Sequence, residues 1–224
     1  MSKYIEIDGR KLCFSSINIV KEGVNLDPSA ARNNLLFFDD LVKNTNIRWT
    51  LFYGTLLGVI RDNDFIPHDD DIDIVVLNED RPEFMRLLFE FIDNGFVLLR
   101  NERSILTLYR NGVYMDIYFY RRINKRRGND SRICAYRCMP AAWIEETKMH
   151  KFCGRLIPVP VHHESVLIFL YGESWTTPKK RSYSNYNSLL DLIRLNIPLK
   201  MVYWLPEWVR AFLQRCYLMW KIVF

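Results

Sequence analysis

Between Pro67 and Leu77 the chain places four carboxylates in five residues, Asp69-Asp70-Asp71-Ile72-Asp73, and continues straight into Ile74-Val75-Val76-Leu77. Few folds accept that junction. A short β-branched apolar run belongs inside a sheet, so the acids must sit at the mouth of a buried strand. Carboxylates at alternate strand positions lie about 7 Å apart, and at an effective dielectric near 20 each like-charged pair costs about 2 kcal/mol. A divalent cation relieves that repulsion. Successive side chains on a strand alternate faces, so Asp69, Asp71 and Asp73 are expected to share one face while Ile72, Ile74 and Val76 enter the core. Asp70 then faces away.

Oxygen ligands of this kind suit Mg²⁺ or Mn²⁺, which bind through a few carboxylates plus substrate phosphates. An EF-hand is excluded, because the run lacks the glycine at loop position six and the distal glutamate. P-loop and dinucleotide signatures are absent as well. A fourth candidate is Asp116, which has Tyr114 and Tyr118 on its own strand face and Val113, Met115, Ile117 and Phe119 on the other. If its strand lies beside Ile72 to Leu77, Asp116 completes the metal site and can accept a proton from an attacking hydroxyl. If not, it is a solvent-facing acid. Upstream, Gly54-Thr55 reads as a tight strand-to-helix turn whose backbone N–H groups and hydroxyl can meet a phosphate. Arg61 has two open readings: it neutralises phosphate charge, or it pairs with Asp62 or Asp64.

The rest of the chain predicts an α+β fold, a mixed β-sheet flanked by helices with a C-terminal helical extension. Two short strands are expected within residues 4–20 around the Asp8-Gly9 turn, and further strands over Ile47 to Tyr53, Ile72 to Leu77, Phe96 to Arg100, Ser104 to Arg110 and Val113 to Tyr120. The last two should be joined by Asn111-Gly112, a strong two-residue hairpin signal. Helices are expected from Asp27-Pro28 to about Asn44, over Leu56 to Ile60, over 82–93 before Gly95, from Glu164 to Tyr171 before Gly172, and over 206–223. Residues 1–185 read as one catalytic domain and 186–224 as the extension. The chain has 224 residues, of which 49% are hydrophobic, enough for a substantial core. Lys plus Arg total 31 against 26 acids, and the densest basic clusters, around Arg121 to Arg127 and Lys179-Lys180-Arg181, read first as solvated loops. Nucleic acid is not an expected partner.

Cys13, Cys134, Cys138, Cys153 and Cys216 are odd in number and scattered, which predicts free thiols in a reducing, cytoplasmic setting. The start of the chain has acids where a signal peptide is apolar, and no run of about 20 apolar residues occurs. The aromatic and basic residues of 206–224 fit peripheral contact with the inner face of a membrane, or packing on the core.

Gly54-Thr55-Leu56-Leu57-Gly58-x-x-Arg61, Phe65-Ile66-Pro67 and Asp69-Asp70-Asp71-Ile72-Asp73 together resemble the signature of LicD-type phosphotransferases, which fukutin and fukutin-related protein share. Tyr171-Gly172 followed by Trp175 and Pro178 resembles the downstream motif of the same family. The resemblance covers roughly residues 30–185 and implies a nucleotidyltransferase fold. It implies an enzyme that transfers phosphocholine or a polyol phosphate from a CDP-linked donor to a sugar hydroxyl of a cell-surface glycan, free or lipid-linked. The catalytic residues implied are Asp71, Asp73 and Asp116, with Asp69 as a further metal ligand. Gly54, Thr55, Arg61, His68, Tyr171 and Lys179 are the implied substrate contacts. His68 departs from the pattern, since the family usually has tryptophan before the acids.

Three other readings compete. The same acids serve an enzyme that moves NMP from an NTP to a small-molecule or sugar-phosphate acceptor. A scaffold for glycan assembly that has lost catalysis is a second, against which the intact acids argue. Cys134, Cys138, His150 and Cys153 loosely resemble a zinc module, the third.

Overall fold

The computed structural model describes residues 2–15, 26–123, 130–134, 137–178, 206 and 209. All but two residues of the expected helix over 206–223, the cluster at Lys179-Lys180-Arg181, most of the loop after Arg122 and nearly all of 186–224 therefore lie outside the described residues. Two compact units emerge, one from residues 1–120 and 147–159, the other from 121–146 and 160–224.

The first unit opens with the hairpin β1 (Ser2–Ile7) and β2 (Arg10–Ser15), paired antiparallel about Asp8 and Gly9. Both turn residues have positive φ, 48° and 78°, as a two-residue hairpin requires. α1 (Pro28–Val42) starts where Asp27 accepts a hydrogen bond from the Ser29 N–H at 2.9 Å, with proline in the first turn. β3 (Trp49–Leu51) is shorter than expected, because the chain turns into α2 (Tyr53–Asp62) earlier than the sequence indicates. Gly54 and Thr55 thus lie inside the first helical turn instead of ahead of it.

β4 (Asp71–Leu77) is buried along its whole length. The single helix expected over 82–93 is two, α3 (Arg81–Arg86) and α4 (Leu88–Asp93), preceded by a 3₁₀ turn at Asn78–Asp80. At the junction the Leu87 N–H donates to the Phe84 carbonyl at 3.0 Å, a tighter i→i+3 bond that interrupts the α ladder. Gly95, φ 84°, closes α4 as expected.

β5 (Val97–Asn101), β6 (Ile105–Arg110) and β7 (Val113–Ile123) follow, with Asn111 and Gly112 at φ 52° and 80° turning β6 into β7. The sheet order is β3-β4-β7-β6-β5. β4 and β7 are parallel and the other neighbours antiparallel, so the sheet is mixed and the fold α+β. Phe38, Phe84, Phe91, Phe96 and Phe119 are all essentially buried. Their rings stack from α1 through α3 and α4 onto β7, for instance Phe84 against Phe119 at 5.7 Å and Phe91 against Phe96 at 5.0 Å.

The segment 147–159 adds the hairpin β10 (Thr147–Phe152) and β11 (Arg155–Pro160), turned at Cys153 and Gly154 with φ 52° and 77°. Arg155 ties this turn to Asp39 and Asp40 of α1. In the second unit the end of β7 pairs antiparallel with β8 (Ser131–Cys134), and β8 with β9 (Arg137–Pro140). Among its described residues α5 (Ala142–Glu145) and α6 (His163–Tyr171) follow, with Trp143 edge-on to Phe169. Buried Arg132 is matched by Glu145 at 2.6 Å. The register sets Ile133 opposite Cys138 and Cys134 opposite Arg137, so Cys134 and Cys138 project from opposite faces of the hairpin. A zinc module using both thiols does not fit that geometry. Burial pushes the Cys134 thiol up to about 12, and it stays protonated.

Candidate active site

Asp71 and Asp73 stand at the start of β4, on one face of it. Both are buried, 7% and 5% exposed, which excludes a solvated acidic loop. Asp69 joins them from outside the strand. Its N–H donates to the Ile66 carbonyl at 3.0 Å and its own carbonyl receives the Leu26 N–H at 2.9 Å, so a turn, not strand alternation, aims its side chain. Ligand atoms of Asp69, Asp71 and Asp73 lie within 4.8 Å of one another, the one such convergence of histidine, cysteine and acid groups among the described residues. Asp70 is buried outside that convergence.

The Gly-Thr pair fixes one of these acids and leaves space for a second. The Gly54 N–H, in the first turn of α2, donates to Asp73 Oδ2 at 2.9 Å, placing a carboxylate on a helix N-terminus. In return the Asp73 N–H donates to the Thr55 hydroxyl at 2.9 Å. Both groups expected to meet phosphate are thus engaged within the cluster, and Thr55 is 1% exposed. A methyl at Gly54 would stand 2.1 Å from Asp69 Oδ2 and 3.4 Å from Asp73 Oδ2. Glycine leaves the carboxylates where they stand, and a methyl there would push the Asp69 carboxylate aside.

The second glycine of the motif has another duty. A methyl at Gly58 would meet the Asp64 carbonyl oxygen at 2.5 Å, where the 63–66 loop crosses α2. Asn63, at φ 53°, ends the helix with its N–H on the Gly58 carbonyl. Arg61 forks onto Asp62, with contacts of 2.6 to 3.0 Å. Asp64 is taken by Arg32 at 2.8 Å. Of the two readings of Arg61, the structure displays the ion pair.

Asp116 lies on β7 directly beside Asp73, in parallel register, and is 2% exposed. The condition set for it by the sequence, a strand next to β4, is met. Thr107 of β6 donates its hydroxyl to Asp116 Oδ1 at 2.5 Å, and Arg100 of β5 reaches Oδ2 at 3.4 Å. Burial, Asp73, Asp116 and Asp71 together push the Tyr118 phenol well above its ordinary value, so it stays neutral and a proton donor. Tyr118 packs at 4.7 Å on Tyr53, whose hydroxyl bonds that of Tyr120 at 2.6 Å. Tyr53 holds φ 44°, uncommon outside glycine, at the bend that turns the Gly54 N–H toward Asp73.

His68 is exposed on the turn before Asp69, while Tyr171 ends α6 in the second unit and Lys179 lies outside the described residues. A cavity of about 440 Å³ opens elsewhere in the first unit, lined in part by Ser29, Arg32, Asn33, Asn63 and Cys153 and by none of the four acids. Sequence reasoning does not single out Thr107, Arg100 or Tyr53. Thr107 had a readable signal: a two-residue turn at Asn111-Gly112 sets Arg110 opposite Val113 and hence Thr107 opposite Asp116. Arg100 had none, because a bulge alters its register.

The chain is similar to an uncharacterised protein of Rickettsia typhi, 34% identical over 67 residues, covering 30% of this chain and 22% of that protein. It is also similar to the lipopolysaccharide cholinephosphotransferase LicD of Haemophilus influenzae, 38% identical over 58 residues, covering 26% and 22%. The chain therefore spans about a fifth of the length of these curated relatives. Among solved structures, ANT(2")-Ia in complex with adenylyl-2"-tobramycin aligns with a TM-score of 0.49 and 13% identity, covering 83% of this chain and 98% of that one. The family model "LicD/FKTN/FKRP, nucleotidyltransferase domain" matches residues 46–162, just over half of the chain and the stretch that contains the Gly54-Thr55 turn and all four acids. With the match placed on that geometry, the chain belongs to the LicD/FKTN/FKRP family and carries its nucleotidyltransferase domain.

Proposed function

We propose that this chain is a metal-dependent phosphotransferase that moves phosphocholine or a polyol phosphate from a CDP-linked donor to a sugar hydroxyl of a cell-surface glycan or lipid-linked saccharide. The observation that carries the reading is the convergence of Asp69, Asp71 and Asp73 with Asp116 in register beside them. Close-set carboxylate oxygens, with glycine clearing the space, fit Mg²⁺ or Mn²⁺. Asp69, Asp71, Asp73 and Asp116 are the residues that would hold it. When bound, the ion would neutralise charge on the donor diphosphate and polarise the phosphorus under attack.

The chain's own groups do the rest. Asp73 is fixed by the Gly54 N–H and by the Thr55 hydroxyl on its own backbone. Asp116 accepts the proton of the attacking sugar hydroxyl. Tyr118, kept neutral, offers a hydrogen bond to an oxygen that gains charge. Arg61, His68, Tyr171 and Lys179 are the remaining donor or acceptor contacts of the proposal. For Arg61 this requires release from Asp62. Positioning and charge neutralisation supply most of the acceleration in such transfers.

Incubating the protein with Mg²⁺, CDP-choline, CDP-ribitol or CDP-glycerol and candidate glycans should release CMP. Pyrophosphate release from an NTP, with all CDP donors inert, would favour NMP transfer instead. No helix among the described residues is long and apolar enough to cross a membrane. Peripheral membrane contact through 206–224 belongs to the same proposal, and loss of liposome flotation on removing that segment is its expected result.

A further inference from the structure

Four polar residues from four neighbouring strands stand in one line across the sheet. Asp73 of β4 is opposite Asp116 of β7, Asp116 opposite Thr107 of β6, and Thr107 opposite Arg100 of β5. Directly opposed residues share a face, so the four side chains lie on the face that bears the acids. The line is interrupted nowhere by an apolar side chain, although the sheet around it is built from Leu106, Leu108, Met115 and Ile117, all fully buried.

The last member reaches the line through an irregularity. β5 pairs Leu98 with Leu108 and Arg100 with Thr107, so the register shifts between them and Leu99 is the extra residue. Without that bulge, Leu99 would face Thr107. Bulges recur where a side chain must be re-aimed beside a site, and here the effect is to bring a guanidinium to the row.

The hydrogen bonds run in one direction. Arg100 Nε donates to the Thr107 hydroxyl at 3.1 Å, and an arginine N–H can only donate. The Thr107 hydroxyl, 0% exposed, must therefore accept from Arg100 and donate its own hydrogen bond to Asp116 Oδ1 at 2.5 Å. Arg100 Nη2 adds a long contact to the other carboxylate oxygen. A carboxylate buried in a sheet is costly unless charge-assisted donors meet it, and these two donors also fix which way it turns.

We infer that Thr107 and Arg100 are positioning residues which hold the Asp116 carboxylate in place opposite Asp73, through the row Asp73–Asp116–Thr107–Arg100. The inference rests on reading the acids as a divalent-ion site, and it places the outer support of that site on β5 and β6. Outer partners of this kind commonly control ion affinity by about tenfold or more.

Thr107→Val keeps the shape and β-branching and removes only the hydroxyl, while Thr107→Ser keeps the hydroxyl. Mn²⁺ affinity of the whole chain is read from the free-ion paramagnetic resonance signal, with CMP release as the second readout and a thermal melt as control. The expected result is about a tenfold weaker Mn²⁺ affinity for Thr107→Val, recovered in Thr107→Ser. Arg100→Met should give a smaller loss, since Thr107 still donates. Wild-type affinity in Thr107→Val overturns the inference, and so does a loss that Thr107→Ser does not repair. A wild type that binds Mn²⁺ but releases no CMP sinks the CDP-donor reading and leaves the Mn²⁺ comparison to judge the row. One that binds no Mn²⁺ sinks both.

Discussion

The first turn and the middle of α2 carry the same residue for different reasons. At its N-terminal turn Gly54 faces the tips of two carboxylates; at mid-helix Gly58 faces the 63–66 loop, the Asp64 carbonyl foremost. A side-chain tip can swing aside, whereas a backbone carbonyl moves only with its loop. One glycine therefore guards the arrangement of the site and the other guards the fold. A motif of two glycines four residues apart hides that division of labour until the neighbours are known.

The largest effect belongs to the acid that Gly54 holds. Asp73→Ala should lower CMP release by at least about a hundredfold. A melting temperature within a few degrees of wild type would show the loss to be local, and unchanged turnover would refute the role of Asp73. Gly58→Ala comes next, a stability effect of about 2 kcal/mol from overpacking against the Asp64 carbonyl. Denaturant titration should show it with Mn²⁺ affinity largely preserved.

Gly54→Ala should invert the pattern. Displacing the Asp69 carboxylate is expected to weaken Mn²⁺ binding about tenfold, while stability moves by less than about 1 kcal/mol, because alanine also favours the helix. If Gly54→Ala unfolds the protein and Gly58→Ala weakens only the ion, the proposed division is reversed. Thr55→Val should cost about 1 kcal/mol, by leaving the buried Asp73 N–H without its acceptor, and Thr55→Ser should restore it.

The smallest effect lies on the surface tie between Arg155 and Asp40. Hydrogen bonds from Arg155 and then Lys43 hold the Asp40 carboxyl well below the usual carboxylate range. A depressed folded-state value means that the contribution is present above the unfolded value, near 3.9, and is lost as pH falls through the folded one. Both side chains are well exposed, 38% and 41%. The melting temperature lost in Arg155→Met should be slight at pH 6 and shrink with acid or salt.

Much of this architecture was legible because its causes are local. Asp8-Gly9 and Asn111-Gly112 tolerate positive φ and so mark their hairpins, Asp27-Pro28 caps and starts α1, and Gly95 ends α4. The early start of α2 was not legible, because part of its capping is tertiary: the Gly54 N–H is satisfied by Asp73, nineteen residues further on. The break at Leu87 was hidden for a related reason, since the apolar spacing runs on unbroken through it. Asp69 was expected from the strand, yet the turn after Ile66 delivers it. For Arg61, spacing allowed a phosphate or a carboxylate, and proximity to Asp62 selected the ion pair.

That a crowd of acids stands at the mouth of a buried strand follows from residue order, since charge repulsion and apolar periodicity are properties of neighbours along the chain. Residue order also determined, through two separated motifs, which family those acids resemble. Tertiary structure alone decided that β4 and β7 are parallel neighbours, that Asp116 meets Asp73, and that a bulge carries Arg100 to Thr107. The physical reason is that parallel pairing needs a crossover and leaves no turn in the sequence to announce its register.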